Sequence, residues 1–295
     1  MIATVTEYTV PTTGSQPTDI TVGPDGNYWF TEQHGNKIAR VTPTGSFRQF
    51  IIPQAASGPV GIAVGPDHNL WFTENQTNKI GRITTAGVLK IFSLAGVDTE
   101  PNYITAGPDG RLWFTQDLGN MIGAITTAGV ATHFNLPHLN SHPQGITKGP
   151  DGNLWFCEET GNRIGRITTS GVIKEFTIPS PGSQPLGITT GPDRNLWFAE
   201  SQTNRIARIT PTGAITEFAV LVNSEPSLIV AGPMGRLWFT EFSGNRVSSI
   251  TVLGVTARHL LPTAASQPLG IVAGADGLTV WFTEFQGNKI GILRP

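Results

Sequence analysis

The seven tryptophans of this chain fall at Trp29, Trp71, Trp113, Trp155, Trp197, Trp238 and Trp281, at intervals of 41 to 43 residues. Each sits in one repeated pattern, which in its fourth copy reads QGITKGPDGNLWFCEETGNRIGRITTSGVIKEFTIP from Gln144 to Pro179. The pattern predicts four short strands: one beginning at Gly145–Thr147, then Leu154–Glu158, Arg163–Thr168 and Val172–Ile178. A GPDG turn separates the first two, with Pro pre-setting φ and Gly free to take positive φ. Asn36, Asn78, Asn120, Asn162, Asn204, Asn245 and Asn288 recur at the next turn.

A period of this length carrying four strands is the mark of a β-propeller. Adjacent Trp and Phe on one strand need burial on both faces, which a blade stacked between two others supplies. The last copy stops after its third strand, while Val5–Pro11 (VTEYTVP) matches a fourth strand such as IKEFTIP at Ile173–Pro179. The expectation is an all-β, seven-bladed β-propeller of four-stranded antiparallel blades, one domain over residues 1–295, closed by the N-terminal strand completing the C-terminal blade.

Charged residues make up 14% of the chain and the formal net charge is −2, without the basic patch that nucleic acid or an anionic membrane surface would require. The lone cysteine, Cys157, has no partner for an intramolecular disulfide and reads as a small buried residue. The first residues show no basic-then-apolar leader, and no apolar run reaches membrane-spanning length. These features predict a cytoplasmic protein, and a ring with only short edges predicts a monomer.

The run of LWFTE, NKIGRIT and EFxIP units resembles the streptogramin B lyase (virginiamycin B lyase) family of seven-bladed propellers. The resemblance implies antibiotic resistance: elimination that opens a cyclic depsipeptide at its ester, with Mg²⁺ polarising the substrate and a His moving the proton. Its critical positions lie in the last two blades. This chain has Ser227 where the family carries a His after the Pro of the penultimate blade. In the last blade Gln267 stands where the acid belongs and Leu269 where the His belongs, while the acid closing the second strand is kept as Glu284. The residues following Pro around the ring are Thr18, Val60, Asn102, Gln144, Leu186, Ser227 and Leu269, so no other blade supplies the histidine. The function expected is therefore a lyase-like propeller without the family's elimination, binding a small molecule or peptide at its central mouth or acting as a scaffold. The alternatives are a divergent Mg-dependent lyase, or a metal-assisted hydrolase centred on His142, Glu100 and Glu158.

Residues present in every copy serve folding, whereas a site for one asymmetric ligand must break the repeat. Glu32, Glu74, Glu158, Glu200, Glu241 and Glu284 close six of the seven second strands and are expected to meet backbone or basic partners. Arg40, Arg82, Arg166 and Arg208 are expected in salt bridges. The breaks gather in the third and fourth copies: Asp98, Glu100, Asn102 and Tyr103 before and within a first strand, Gln116 and Asp117 after a second, then His142, Glu158 and Glu159. Glu100, Asn102, Gln116, Asp117, His142, Glu158 and Glu159 are the binding candidates, because a His among carboxylates can relay a proton or share a divalent ion with them. The remaining histidines, His34, His68, His133, His138 and His259, read as solvated.

Overall fold

Turn residues cut each repeat into strands as the sequence requires. Each of the recurring asparagines adopts a left-handed φ of 52° to 54°, a region that Asn tolerates better than most residues. In the computed structural model, which describes residues 3–94 and 99–295, the fourth blade runs Pro143–Lys148, Leu154–Glu158, Arg163–Ile167 and Ile173–Thr177. Asp98 lies outside the described residues.

Seven four-stranded antiparallel sheets form the ring, six of them from consecutive strands. The seventh combines Pro268–Ala273, Val280–Glu284 and Lys289–Arg294 with the N-terminal Thr4–Thr9 on its outer edge. That strand runs antiparallel from Thr4 opposite Arg294 to Thr9 opposite Lys289.

Each second strand faces both neighbours. Trp29 packs with Ile62, Leu70 and Phe72 of the following blade, while Phe30 packs with Trp281, Ile290 and Ile292 of the preceding one. Six of the seven tryptophans are fully enclosed and Trp281 is nearly so. The Asp of each intact GPD turn accepts the indole N–H, as Asp25 does from Trp29 at 2.9 Å. In four blades it also pairs with a third-strand arginine, Arg40–Asp25 at 3.0 Å, Arg82–Asp67 at 3.4 Å, Arg166–Asp151 at 3.7 Å and Arg208–Asp193 at 3.6 Å, while Asp109 pairs with Arg111 at 2.6 Å.

Between blades, second-strand hydroxyls reach the next inner strand. Thr31 Oγ1 donates to Val60 O at 2.7 Å and Thr283 Oγ1 to Thr18 O at 2.9 Å. The inner backbones approach so closely that a Cβ on Gly61 would lie 2.6 Å from Asn102 O, and one on Gly145 2.5 Å from Leu186 O. Asp19, Tyr103 and Leu228 replace glycine at this level. Tyr103 packs against the cluster containing Trp113 and Ile146 in its own half of the ring and also against the cluster containing Leu228 and Ile271 across the axis.

Deleting Met1–Val10 removes Tyr8 and Val10 from the cluster around Trp281 and Phe30. Burial of two such side chains contributes about 3–6 kcal/mol, so the truncated protein should melt about 10 °C or more below the full chain. Thermal unfolding followed by circular dichroism checks this, and an unchanged midpoint would show that the terminal strand does not close the ring.

Candidate functional site

One end of the ring is built from a repeated Ser/Thr-x-Pro lead-in. The hydroxyl residue is buried and held by the asparagine of the preceding blade: Asn36 Oδ1 accepts from Ser57 N at 2.8 Å and Ser57 Oγ at 2.7 Å, and Asn288 Oδ1 does the same for Ser15. The middle residue is then forced into the left-handed region, with φ of 50° at Glu100 and His142, 47° at Glu225 and 51° at Gln267. Such strain persists only where surrounding contacts over-determine it. The carbonyl of this residue accepts from the amide just past the second strand, pairing Glu100 with Asp117, His142 with Glu159, Glu225 with Phe242 and Gln267 with Phe285 at 3.0–3.1 Å. Together with the residue after Pro, these two positions per blade compose a central mouth.

In the third and fourth blades the mouth carries a connected polar cluster. His142 Nδ1 lies 2.6 Å from Asp117 Oδ1. Gln144 donates from Nε2 to Asp117 Oδ2 at 3.1 Å and to Glu159 Oε2 at 3.0 Å, while its Oε1 accepts from Asn102 Nδ2 at 2.7 Å. Burial, and then the charge of Asp117, push the Glu159 carboxyl above its ordinary value, with His142 and Gln144 opposing. Beneath lies an axial cavity of about 130 Å³ lined in part by Asp19, Tyr103 and Leu228. Asp19 spans two inner strands, accepting from Ile20 N at 2.9 Å and Ile62 N at 3.0 Å. Burial nevertheless raises it to about 6.

The opposite half of the mouth holds a cavity of about 250 Å³ reaching from Glu159 to Leu269, with Leu186, Ser201, Glu225, Ser227 and Phe242 among its walls. Ser227 and Leu269 thus face one space, shared with Glu159. Phe242 and Phe285, with centroids 6.3 Å apart and planes tilted by 48°, form an aromatic pair beside it. Phe242, Phe285, Leu186 and Glu225 were not among the sequence candidates. For the two phenylalanines the signal is the same break in the repeat, since the other blades carry Gln33, Asn75, Asp117, Glu159 and Ser201 at that position.

Three sequence candidates, Glu158, Gln116 and Glu284, occupy the buried slot that closes a second strand instead of facing the mouth. Glu158 is fully buried, with Arg163 Nη1 at 3.8 Å from its Oε2, because the second strand turns it into the blade stack. Gln116 occupies the same slot one blade earlier, donating to Thr99 Oγ1 at 2.5 Å and lying 2.6 Å from His133 Nδ1. The expected trio of His142, Glu100 and Glu158 is therefore not assembled. Among the described residues, no group of three His, Cys, Asp or Glu side chains could hold a metal ion. The reading of the scattered histidines also needs correcting: His133 packs edge-on to Phe114 and His259 stacks on Trp238.

The sequence matches the profile of the virginiamycin B lyase family over residues 2–180 and 148–295. The chain belongs to the virginiamycin B lyase family. It is similar to selenomethionine-substituted virginiamycin B lyase from Staphylococcus aureus, with 39% identity, full coverage of both chains and a TM-score of 0.96. The same values hold for a catalytically inactive histidine-to-alanine variant of that enzyme with quinupristin. A streptogramin B lyase structure gives 38% identity, coverage of 99% of this chain and 97% of that one, and a TM-score of 0.95. Hydrazine synthase from Kuenenia stuttgartiensis shares the fold alone, at 16% identity and a TM-score of 0.81. No curated protein sequence matches.

The acid that the virginiamycin B lyase resemblance marks, Glu284, is fully buried like its counterparts. Burial, then the negative charge of Glu7, raise it to about 8, against Lys289 and Ser266. Burial lifts Glu158 and Glu200 to about 7, helped by Glu175 and Glu217 respectively. Both carboxyl oxygens of Glu284 are enclosed without a hydrogen-bond partner among the described residues, a setting that penalises the charged form and keeps the proton on the acid. An unfolded chain would release these protons near 4.5. The stability they contribute is therefore complete below that pH and lost as pH rises through 7 to 8. Glu284→Gln, which cannot ionise, should match the parent's midpoint at pH 5 and exceed it by about 2–4 °C at pH 9. Differential scanning calorimetry at the two pH values checks this, and equal behaviour at both would exclude a protonated Glu284.

Proposed function

We propose that this protein binds a small molecule or peptide at its central mouth and does not perform the ring-opening elimination of its family. The observation that carries the reading is the cavity wall itself. Ser227 and Leu269 face it at the positions where the resemblance places histidines. Leu269 has no lone pair to accept a proton and none to ligate a metal. The solved relative described as catalytically inactive differs from its parent at a histidine, which supports a dependence of the chemistry on that residue type.

Magnesium is the cofactor the resemblance implies, and Mg²⁺ seeks near-octahedral oxygen ligands. Gln267 offers one neutral amide oxygen where an acid would stand, and the Glu284 carboxyl is fully buried near the negative charge of Glu7, which disfavours its ionised form. These residues do not fit the ion, so no step is assigned to it. His142, held against Asp117 at 2.6 Å, still presents an imidazole at the mouth beside the Glu159 carboxyl. Both then serve to set the hydrogen-bonding state a ligand meets. That geometry is the basis for keeping a divergent enzyme as the second reading.

Incubation with quinupristin, with and without Mg²⁺, followed by chromatography and mass spectrometry separates the readings. Intact quinupristin at high protein concentration is the expected outcome. A product of unchanged mass but altered retention would reveal elimination, and a product heavier by one water would reveal hydrolysis. Either product would overturn the proposal.

A further inference from the structure

The mouth is charged with one sign. At the middle position of the lead-in, the residue after Pro and the residue after the second strand, the acids are Glu100, Glu225, Asp117 and Glu159, and no blade places a Lys or Arg there. Two of these acids, Glu159 and Glu225, line the 250 Å³ cavity from either side of the fifth blade. Glu159 accepts from Gln144 through Oε2, and Glu225 from the Ser243 hydroxyl through its own Oε2. The Oε1 atoms of both make no hydrogen bond among the described residues.

The remaining walls are of a different kind. Leu186, Leu269 and Phe242 give an apolar side, continued outside by Phe285. Between the two sides, the nearly buried Ser201 and Ser227 spend their hydroxyl protons on Gln184 O at 3.1 Å and Glu225 O at 3.2 Å. They therefore present acceptor lone pairs to the cavity. Carboxylates, hydroxyl acceptors and an aromatic face are what an ammonium group requires. The volume lies below the roughly 300–1,000 Å³ of sites that swallow a whole drug-sized ligand, so it suits one end of a larger molecule.

We propose that this cavity takes the free amino end of an apolar peptide, with Glu159 and Glu225 facing the ammonium group and Leu186, Leu269 and Phe242 packing the adjoining side chain. The inference rests on the mouth being the ligand site. It adds that charge selects the ligand.

The probes are phenylalanyl-leucinamide, which carries one free ammonium group, and its N-acetyl derivative, which has the same body without charge. Titration calorimetry on the full chain at pH 7 should show the free amine binding about tenfold or more tightly than the acetylated form, the loss expected for one charge-assisted hydrogen bond. Glu225→Gln and Glu159→Gln should each shrink that ratio several-fold by weakening binding of the free amine, and a matching thermal midpoint confirms that the variants fold. The preference should also weaken at 1 M salt. Equal binding of the two probes, no binding of either, or a preference that both variants retain would overturn the proposal. Equal binding that Leu269→Asp abolishes would overturn it while leaving the mouth as a binding site. The quinupristin assay tests the absence of elimination independently of these outcomes.

Discussion

Every blade is tied to the next by one asparagine side chain, and the functional surface depends on that tie. In Asn162 the carboxamide oxygen takes Ser183 N and Oγ, each at 2.7 Å, while Nδ2 donates to Ile178 O at 3.2 Å and Ser180 O at 3.1 Å. Loss of such a group leaves several enclosed donors and acceptors unpaired, at about 1–3 kcal/mol each. The tie also fixes where the following residue goes. Pinned between a buried Ser and a Pro, it has no choice but to project at the mouth, so a site of any composition can be written onto the ring without altering the scaffold.

The scaffold is not uniformly latched around that site. Inner-strand carbonyls receive a threonine hydroxyl from the preceding blade at Val60, Asn102, Leu269 and Thr18. At the fourth and fifth blades the threonine is replaced by Cys157 and Ala199. Those are the blades whose junctions carry Leu186 and Ser227, two walls of the larger cavity. The packing there is still dense, with Cys157 and Ala199 fully buried, but it is apolar contact rather than a directional bond that holds the neighbouring strands.

Much of this was legible in the sequence because the fold is a repetition. The match of VTEYTVP to IKEFTIP located the closing strand, and the paired Trp and Phe announced two buried faces. The ion pairs of Arg40, Arg82, Arg166 and Arg208 follow from the same periodicity, since each of those four copies also keeps the turn aspartate that receives the arginine. The mouth was harder to read. Glu158 and Glu159 are consecutive, yet the strand turns the first inward and releases the second to the mouth, a distinction that residue type alone does not carry. Asp117 and His142 meet across two blades because the carbonyl of each lead-in residue is hydrogen-bonded to the end of a second strand. Attention to ionisable groups also passed over Phe242 and Phe285, whose departure from the repeat is as clear as that of Asp117.

The seam of the ring joins residues at opposite ends of the chain, Thr4 beside Arg294. During synthesis on a ribosome the outer strand cannot pair until the six blades between it and its antiparallel partner have been made. Until then Tyr8 and Val10 have no counterpart to cover them, and the growing array is an open arc with an unfinished blade at each end. Closure over so long a stretch of chain is entropically demanding and kinetically late. The mouth therefore has its full circumference only once this seam has closed.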